Sequence, residues 1–539
     1  MTSVLRHPLL GAIRGTIVKE KLYRCYSLPY ASLPRRFARS QLLKELPNHK
    51  TSTTYDAAAV GPSSIQLPDA AHSDAENNQL PTDDIEKQDQ NEDCLRLTLT
   101  RPLDVEPGRK LPVVVFIHGG AFFLGSGERQ WLDPTTFCLY ALDNNKPLIF
   151  VSVNYRLGLL GFLHSPETPD ILPANNALHD QLRAFDWIKQ NIAGFGGDPD
   201  NITALGQSAG GESLSLHNLS GLKDAMYKRS ITLSGTLVTM PAKTPSQYQS
   251  TFLSCAEKMD IKVKDRSSNA IAEEMLTISI DKIRAANFVG APCTSSEVLP
   301  YVKPTMQLMR SRPPTQVDWL ESQIVSTCTY DGSISYIMTR NNPERKDHAA
   351  SFIKLTRDLL KNPNELLDIY GINDHDEEDE ALRKICLFES DIGFVSATIS
   401  QAMGMKQTAT TKAYLQIFDL GNPFKGPLPQ EQYASHTWDI VALLGAYEDR
   451  LSEQYVEVIR DWRSKVLDYV TDGTAVCDDF KQEAQNGLLV NKDGVRAVAA
   501  DEMPGAERRA RLWSLAEAEK GEEGLDFLWE GVCRKWLDG

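Results

Sequence analysis

The chain has 539 residues, a mass of 60.0 kDa and 41% hydrophobic residues, which is enough to bury a large core and excludes a fibrous protein. A formal charge of −15 and a pI near 5.3 disfavour nucleic acid and anionic membrane surfaces as partners, and no apolar run exceeds strand length, so no stable membrane insertion is expected. The nine cysteines form no CxxC or CxH pattern, which excludes a disulfide scaffold or a metal framework and leaves them as buried thiols.

The first fifteen residues lack a secretory-type apolar core followed by a small-residue cleavage site, so a cytoplasmic protein is expected. Residues 11–40 open with a Gly-rich, β-compatible stretch and continue into Ser27-Leu-Pro-Tyr-Ala-Ser-Leu-Pro-Arg-Arg-Phe37, whose prolines predict a fixed surface crossing. From Leu67 to Asp93 the chain is polar, acidic and free of aromatics, which predicts a long loop rather than core. β-branched clusters between turn signals then predict strands at Cys94–Thr100, Leu111–Ile117 and Leu148–Val153. Leu178, Leu182, Phe185 and Ile188 recur at helical spacing and predict a helix over 177–191. Further strands are expected at Asn201–Leu205, Ser230–Leu233, Ile324–Cys328 and Lys412–Phe418, with a helix at Gly211–Leu219. This alternation favours a central α/β sheet with crossover helices, extended beyond residue 240 by helical and charged insertions. The acidic run Asp374–Glu380 lacks EF-hand spacing and reads as a solvated loop or helix start.

The segment Thr203-Ala-Leu-Gly-Gln-Ser-Ala-Gly-Gly211 carries the chemistry. A serine between two glycines after a short strand is the pattern of an elbow, in which the chain turns sharply into a helix and lifts the hydroxyl clear. Ser208 is therefore the candidate nucleophile. Upstream, Pro112–Gly127 is a buried-strand run ending in a small-residue loop, His118-Gly-Gly-Ala-Phe-Phe123, suited to holding an oxyanion. A serine nucleophile needs a base and a third group that orients the base. His436, late in the chain after the 412–418 strand, and Asp331, directly after the 324–328 strand, supply the order serine, acid, histidine.

These motifs, together with Leu28-Pro-Tyr-Ala31, Glu92-Asp-Cys-Leu95, Asn154-Tyr-Arg-Leu-Gly158, Gly194-Phe-Gly-Gly-Asp-Pro199 and Leu233-Ser-Gly235, run in order through most of the sequence. On them the chain resembles the type B carboxylesterase and lipase family, which includes the cholinesterases. The resemblance implies an α/β-hydrolase fold with a large, mostly parallel mixed sheet flanked by helices. It also implies one domain over 1–539, with helical insertions at about 240–320 and 340–410 around an active-site gorge. Ser208 would be the nucleophile, His436 the base, and Asp331 would occupy the acid position that is often glutamate; being one methylene shorter, it must sit closer to the ring or cede the role. The amides of Gly120, Ala121 and Ala209 would form the oxyanion hole, with Gly119 allowing close approach.

Several residues keep two readings. Phe122, Phe123 and Trp131 line the pocket or pack in the core, and Asp439 is a buried supporting acid or a helix-surface charge. His118 and His217 read as structural. Two departures from the family pattern stand out: Ser64 occupies the place of the cysteine that would pair with Cys94, and Gln207, a candidate pocket residue, replaces the glutamate of cholinesterases. The first, shared with intracellular fungal relatives, points to a reducing interior, and the second disfavours choline selectivity. The expected function is hydrolysis of a hydrophobic, small to medium carboxylic ester through an acyl-enzyme, with a role in detoxification or specialised metabolism. Neither cofactor nor metal is expected. The expected partner is a small-molecule ester, and a homodimer is left open. Acyl transfer at the same site and a non-catalytic binding or scaffold protein remain as alternatives.

Overall fold

The computed structural model describes the whole chain except residues 48–53, 106–107, 295, 297, 300–301, 312–316, 406–409 and 481–485. Among the described residues, twelve strands run through one continuous sheet. They are β1 (Thr2–His7), β2 (Gly11–Val18), β3 (Leu22–Pro29), β4 (Arg96–Pro102), β5 (Leu111–Ile117), β6 (Ile149–Val153), β7 (Gly197–Gln207), β8 (Arg229–Leu233), β9 (Ser322–Cys328), β10 (Lys412–Asp419), β11 (Gly487–Asn491) and β12 (Gly494–Val498). Their spatial order is β1-β2-β3-β4-β6-β5-β7-β8-β9-β10-β11-β12, with the short strand Tyr55–Asp56 added beside β2. From β6 to β11 every neighbour is parallel, and the antiparallel pairs lie toward the two edges. This is the α/β-hydrolase architecture.

The parallel centre follows from residues that are apolar on both faces. In β5, Val113, Val115 and Ile117 point into one core with Ala184 and Ile188. Val114 and Phe116 alternate into the opposite core with Ile459, Trp462 and Val466. The helices covering the two faces are amphipathic for the same reason. Helix α2 (Asn176–Asn191) buries Leu178, Leu182, Phe185 and Ile188 and leaves Lys189 at its last turn, where a cation suits the helix dipole.

The segment expected to be a plain loop, 67–93, carries a helix, α1 (Ala70–Asn77), and buries Asp74, Ala75, Asn78, Gln79 and Leu80. Its polar side chains are satisfied within the protein: the Gln79 amide donates to the Phe424 and Leu428 carbonyls and accepts from the Leu428 N–H. Strand β2 falls on the stretch read as β-compatible, whereas β1 and the hairpin β11–β12 are not among the expected strands. Later helices relevant to the site are α3 (Ala209–Leu219), α4 (Ser333–Arg340), α5 (Glu378–Glu389), α6 (Trp438–Leu444) and α7 (Glu453–Asp472). Among the described residues no helix is long and apolar enough to cross a membrane.

Because β7, β8, β9 and β10 lie side by side and parallel, their carboxyl ends open at one edge of the sheet. Ser208 follows β7, Asp331 follows β9 and His436 follows β10, so topology alone brings three distant sequence positions to one place.

Candidate active site

Ser208 joins β7 to α3 with φ 54° and ψ −125°, outside the regions that non-glycine residues ordinarily occupy. Packing holds it there. The Ser208 N–H donates to the Leu233 carbonyl at 2.7 Å, tying the turn to the end of β8. A Cβ at Gly210 would lie 2.0 Å from the Ile117 carbonyl oxygen, so only glycine lets α3 descend onto β5. Ala209 is the first residue of α3, and its N–H belongs to the helix start, where no intrahelical acceptor exists.

The loop after β5 presses against this turn. A Cβ at Gly119 would fall 2.5 Å from Gln207 Oε1 and 2.9 Å from Ser208 Cβ. Gly120, Ala121 and Phe122 all have positive φ, at 99°, 51° and 55°, and the Phe123 N–H closes the turn onto the Gly120 carbonyl at 2.9 Å. His118 anchors the loop: Nδ1 donates to the Gly119 carbonyl at 2.8 Å, the ring stacks on Tyr155, and its carbonyl accepts from the Tyr155 hydroxyl. Burial lowers the His118 pKa to about 4, so the ring is neutral and cannot serve as a charged partner. His217, also wholly buried, is lowered to about 3 by burial and bonds Gln181.

On the facing side, Asp331 is wholly buried yet fully engaged. Oδ2 accepts from the Thr327 hydroxyl at 2.7 Å and the Cys328 N–H at 2.9 Å, and Oδ1 accepts from His436 Nδ1 at 2.6 Å. The shorter aspartate therefore reaches the ring. The His436 N–H donates to Ser333 Oγ at 2.8 Å, and Tyr330 pairs with Ser435, so the two loops are stitched together. The other ring nitrogen, Nε2, lies 3.3 Å from Gln207 Nε2, whose amide also donates to Thr437 Oγ1. That contact places the ring beside the residue preceding Ser208. Phe394 stands edge-on to the imidazole at 5.5 Å.

Burial pulls the His436 pKa down, but the hydrogen bond and charge of Asp331, followed by Asp439 and Glu389, raise it above the ordinary histidine value. Asp439, buried in the first turn of α6, is raised to about 7 by burial and then by Asp331. Glu389 is raised to about 8, chiefly by burial, and accepts from the Ser335 hydroxyl at 2.7 Å. Both carboxyls are interior groups rather than surface charges.

Among the aromatic candidates, Phe122 is wholly buried against Phe162, and Trp131 is buried beneath the Arg129 guanidinium, so both rings belong to the interior. Phe123 borders a small crevice of about 20 Å³ with Leu157, Leu160 and Phe288, room for little more than one water molecule. All nine cysteines are free, and Cys94 hydrogen-bonds Ser64 where a disulfide partner would stand. Among the described residues no group of His, Cys, Asp or Glu could hold a metal ion. Residues that the sequence did not point to are Thr437, Asn78, Asp74 and Glu389, all of which face His436 or its neighbours. Only the adjacency of Thr437 to His436 could have signalled any of them.

An α/β-hydrolase sheet with a serine at the strand–helix elbow and an Asp–His pair across from it defines the class. The pattern of the carboxylesterase family matches residues 2–472, and the chain belongs to that family. Bile salt-activated lipase of Homo sapiens is 30% identical over 383 residues, covering 66% of this chain and 49% of that protein. Para-nitrobenzyl esterase of Bacillus subtilis (strain 168) is 31% identical over 276 residues, 51% of this chain and 52% of that protein. The chain thus spans about half the length of the curated relatives it matches. Among solved structures, a PNB esterase and a thermophilic PNB esterase superpose with TM-scores of 0.70 and 0.71. Each is 20% identical, covers 95% of this chain and is itself covered completely, a likeness of fold.

Proposed function

We propose that the protein is a carboxylesterase that cleaves a neutral, hydrophobic carboxylic ester through an acyl-enzyme on Ser208. The observation that carries this reading is the 2.6 Å bond from His436 Nδ1 to buried Asp331, with Nε2 directed at the elbow. That bond fixes the tautomer in which Nε2 holds a free lone pair, the form a general base requires. On substrate entry Nε2 exchanges the Gln207 amide for the Ser208 hydroxyl and takes its proton as Oγ attacks the ester carbonyl. Asp331 stabilises the imidazolium. The amides of Gly120, Ala121 and Ala209 receive the oxyanion, each such donor contributing about 3–4 kcal/mol. The imidazolium then protonates the departing alcohol, and water repeats the sequence on the acyl-enzyme.

The Phe394 ring, edge-on to the base, gives the site an apolar neighbour and favours an uncharged substrate. We take residues 1–539 as one unit in which the helical stretches near 240–320 and 340–410 frame the entrance. All three reacting side chains come from one polypeptide, so a homodimer is not required. The free Cys94 beside Ser64 supports a reducing, cytoplasmic setting, as for the intracellular fungal type, with detoxification or specialised metabolism as the role. The test is a panel of chromogenic aryl and alkyl esters with a pre-steady-state burst measurement. The reading predicts a burst equal to the enzyme concentration, lost in Ser208→Ala. Formation of new esters or amides with added alcohol or amine, and no free acid, would assign the site to acyl transfer instead.

A further inference from the structure

We infer that Thr437 is a positioning residue for His436, and that its hydroxyl joins the base to a buried polar chain rooted in the 66–79 segment. Thr437 follows the histidine directly and has φ 70° and ψ −20°, a left-handed conformation rare for a β-branched residue. It is 6% exposed and stands at the N-cap of α6, where a threonine ordinarily caps the first turn. Here its hydroxyl makes no cap bond. Instead Thr437 Oγ1 donates to Asn78 Oδ1 at 2.8 Å and accepts from Gln207 Nε2 at 3.2 Å, the same amide that meets His436 Nε2.

The chain continues outward. Asn78 Nδ2 donates to Asp74 Oδ1, Asp74 lies 3.7 Å from Arg129 Nε, and Arg129 Nη2 donates to Gln66 Oε1. Gln66 in turn bonds both the N–H and the carbonyl of Gly125, at the end of the loop that begins with His118. One connected set of buried groups thus touches the base at one end and the Gly119–Ala121 loop at the other. The ionisable groups facing it are Asp74, Arg129, Glu128 and His118 on the outer side, and His436 with Asp331, Asp439 and Glu389 on the inner side. A strained backbone is kept beside a reacting group when surrounding bonds over-determine it, and the Asn78 and Gln207 bonds do so here. Their effect is to fix the backbone at Thr437 and, through the shared Gln207 amide, the position of the adjoining ring.

This inference rests on the esterase reading for its kinetic readout and on the ring itself for an independent one. Thr437→Val keeps the shape and removes the hydroxyl, whereas Thr437→Ser keeps the hydroxyl. The expected result is a fall of about tenfold in kcat at unchanged KM for the valine variant, with recovery in the serine variant. Asn78→Ala should reproduce the loss. His436 Cε1 resonances of histidine-labelled protein, followed by NMR without substrate, should show an altered titration in Thr437→Val but not in Thr437→Ser. If the wild type cleaves no ester while that NMR difference appears, the esterase reading falls and the positioning role stands. A valine variant with wild-type kcat and an unaltered ring titration, whatever its melting temperature, overturns the inference.

Discussion

Replacing Asp331 by asparagine changes one atom and nearly preserves the shape, yet the surrounding donors decide how the new amide lies. The Oδ2 position receives both the Thr327 hydroxyl and the Cys328 N–H, so only an oxygen fits there. The asparagine NH2 must then occupy the Oδ1 position, 2.6 Å from His436 Nδ1. An NH2 facing Nδ1 can only donate, which moves the ring proton to Nε2 and removes the lone pair that would accept the Ser208 proton. The ring also loses the carboxylate that stabilises the imidazolium. Together these predict a loss of about 10³–10⁴ in kcat near pH 7, roughly 4–5.5 kcal/mol of transition-state stabilisation, with little change in KM. The assay is steady-state cleavage of a chromogenic aryl ester by Asp331→Asn and wild type, with melting temperatures to show that both fold. A variant retaining kcat within tenfold of wild type, while folded, would refute the orienting role of Asp331.

Three further outcomes follow from the geometry. Gly119→Ala places a methyl group 2.5 Å from Gln207 Oε1 and 2.9 Å from Ser208 Cβ, so kcat should fall about a hundredfold while the melting temperature changes by only a few degrees, read by kinetics and calorimetry. His436 must be neutral to act as a base, and its pKa is raised, so kcat/KM should fall as pH drops through that raised value. Its contribution to stability has the opposite sign: present below the unfolded pKa, it is lost as pH rises through the folded one. Glu389 prefers its proton in the folded state, so wild type should lose stability between the ordinary glutamate range and about pH 8, by at most about 1.4 kcal/mol per pH unit. Glu389→Gln should flatten that slope in denaturant titrations at pH 5 and pH 8; an unchanged slope would remove Glu389 from the account.

Much of the sheet is legible in the sequence because parallel strands buried on both faces read as unbroken apolar runs. Leu111–Ile117 matches its predicted bounds, and the helix over Asn176–Asn191 agrees to within one residue. The elbow is legible for a different reason: its glycines answer to backbone contacts, such as that of Gly210 with Ile117, that no other residue survives. The 67–93 segment misleads because its polarity is satisfied inside the protein. Asn78 and Gln79 spend their amides on Thr437, Phe424 and Leu428, more than 340 positions away in sequence, and no local pattern encodes that. The hairpin at Gly487–Val498 pairs with β10 but is separated from it in sequence by α6 and α7, so no local pattern joins it to the sheet. The engagement of His436 with Gln207 depends on a side-chain rotamer, which sequence order does not reach.

The proposed chemistry requires Ser208 to be the one hydroxyl activated in the folded protein. Treatment with a serine-directed organophosphonate, followed by intact mass measurement and peptide mapping, tests this directly. The prediction is a single adduct on Ser208, abolished in Ser208→Ala and formed far more slowly in His436→Gln. Folded wild-type protein that takes up no adduct, or takes it up at another serine, would contradict the account.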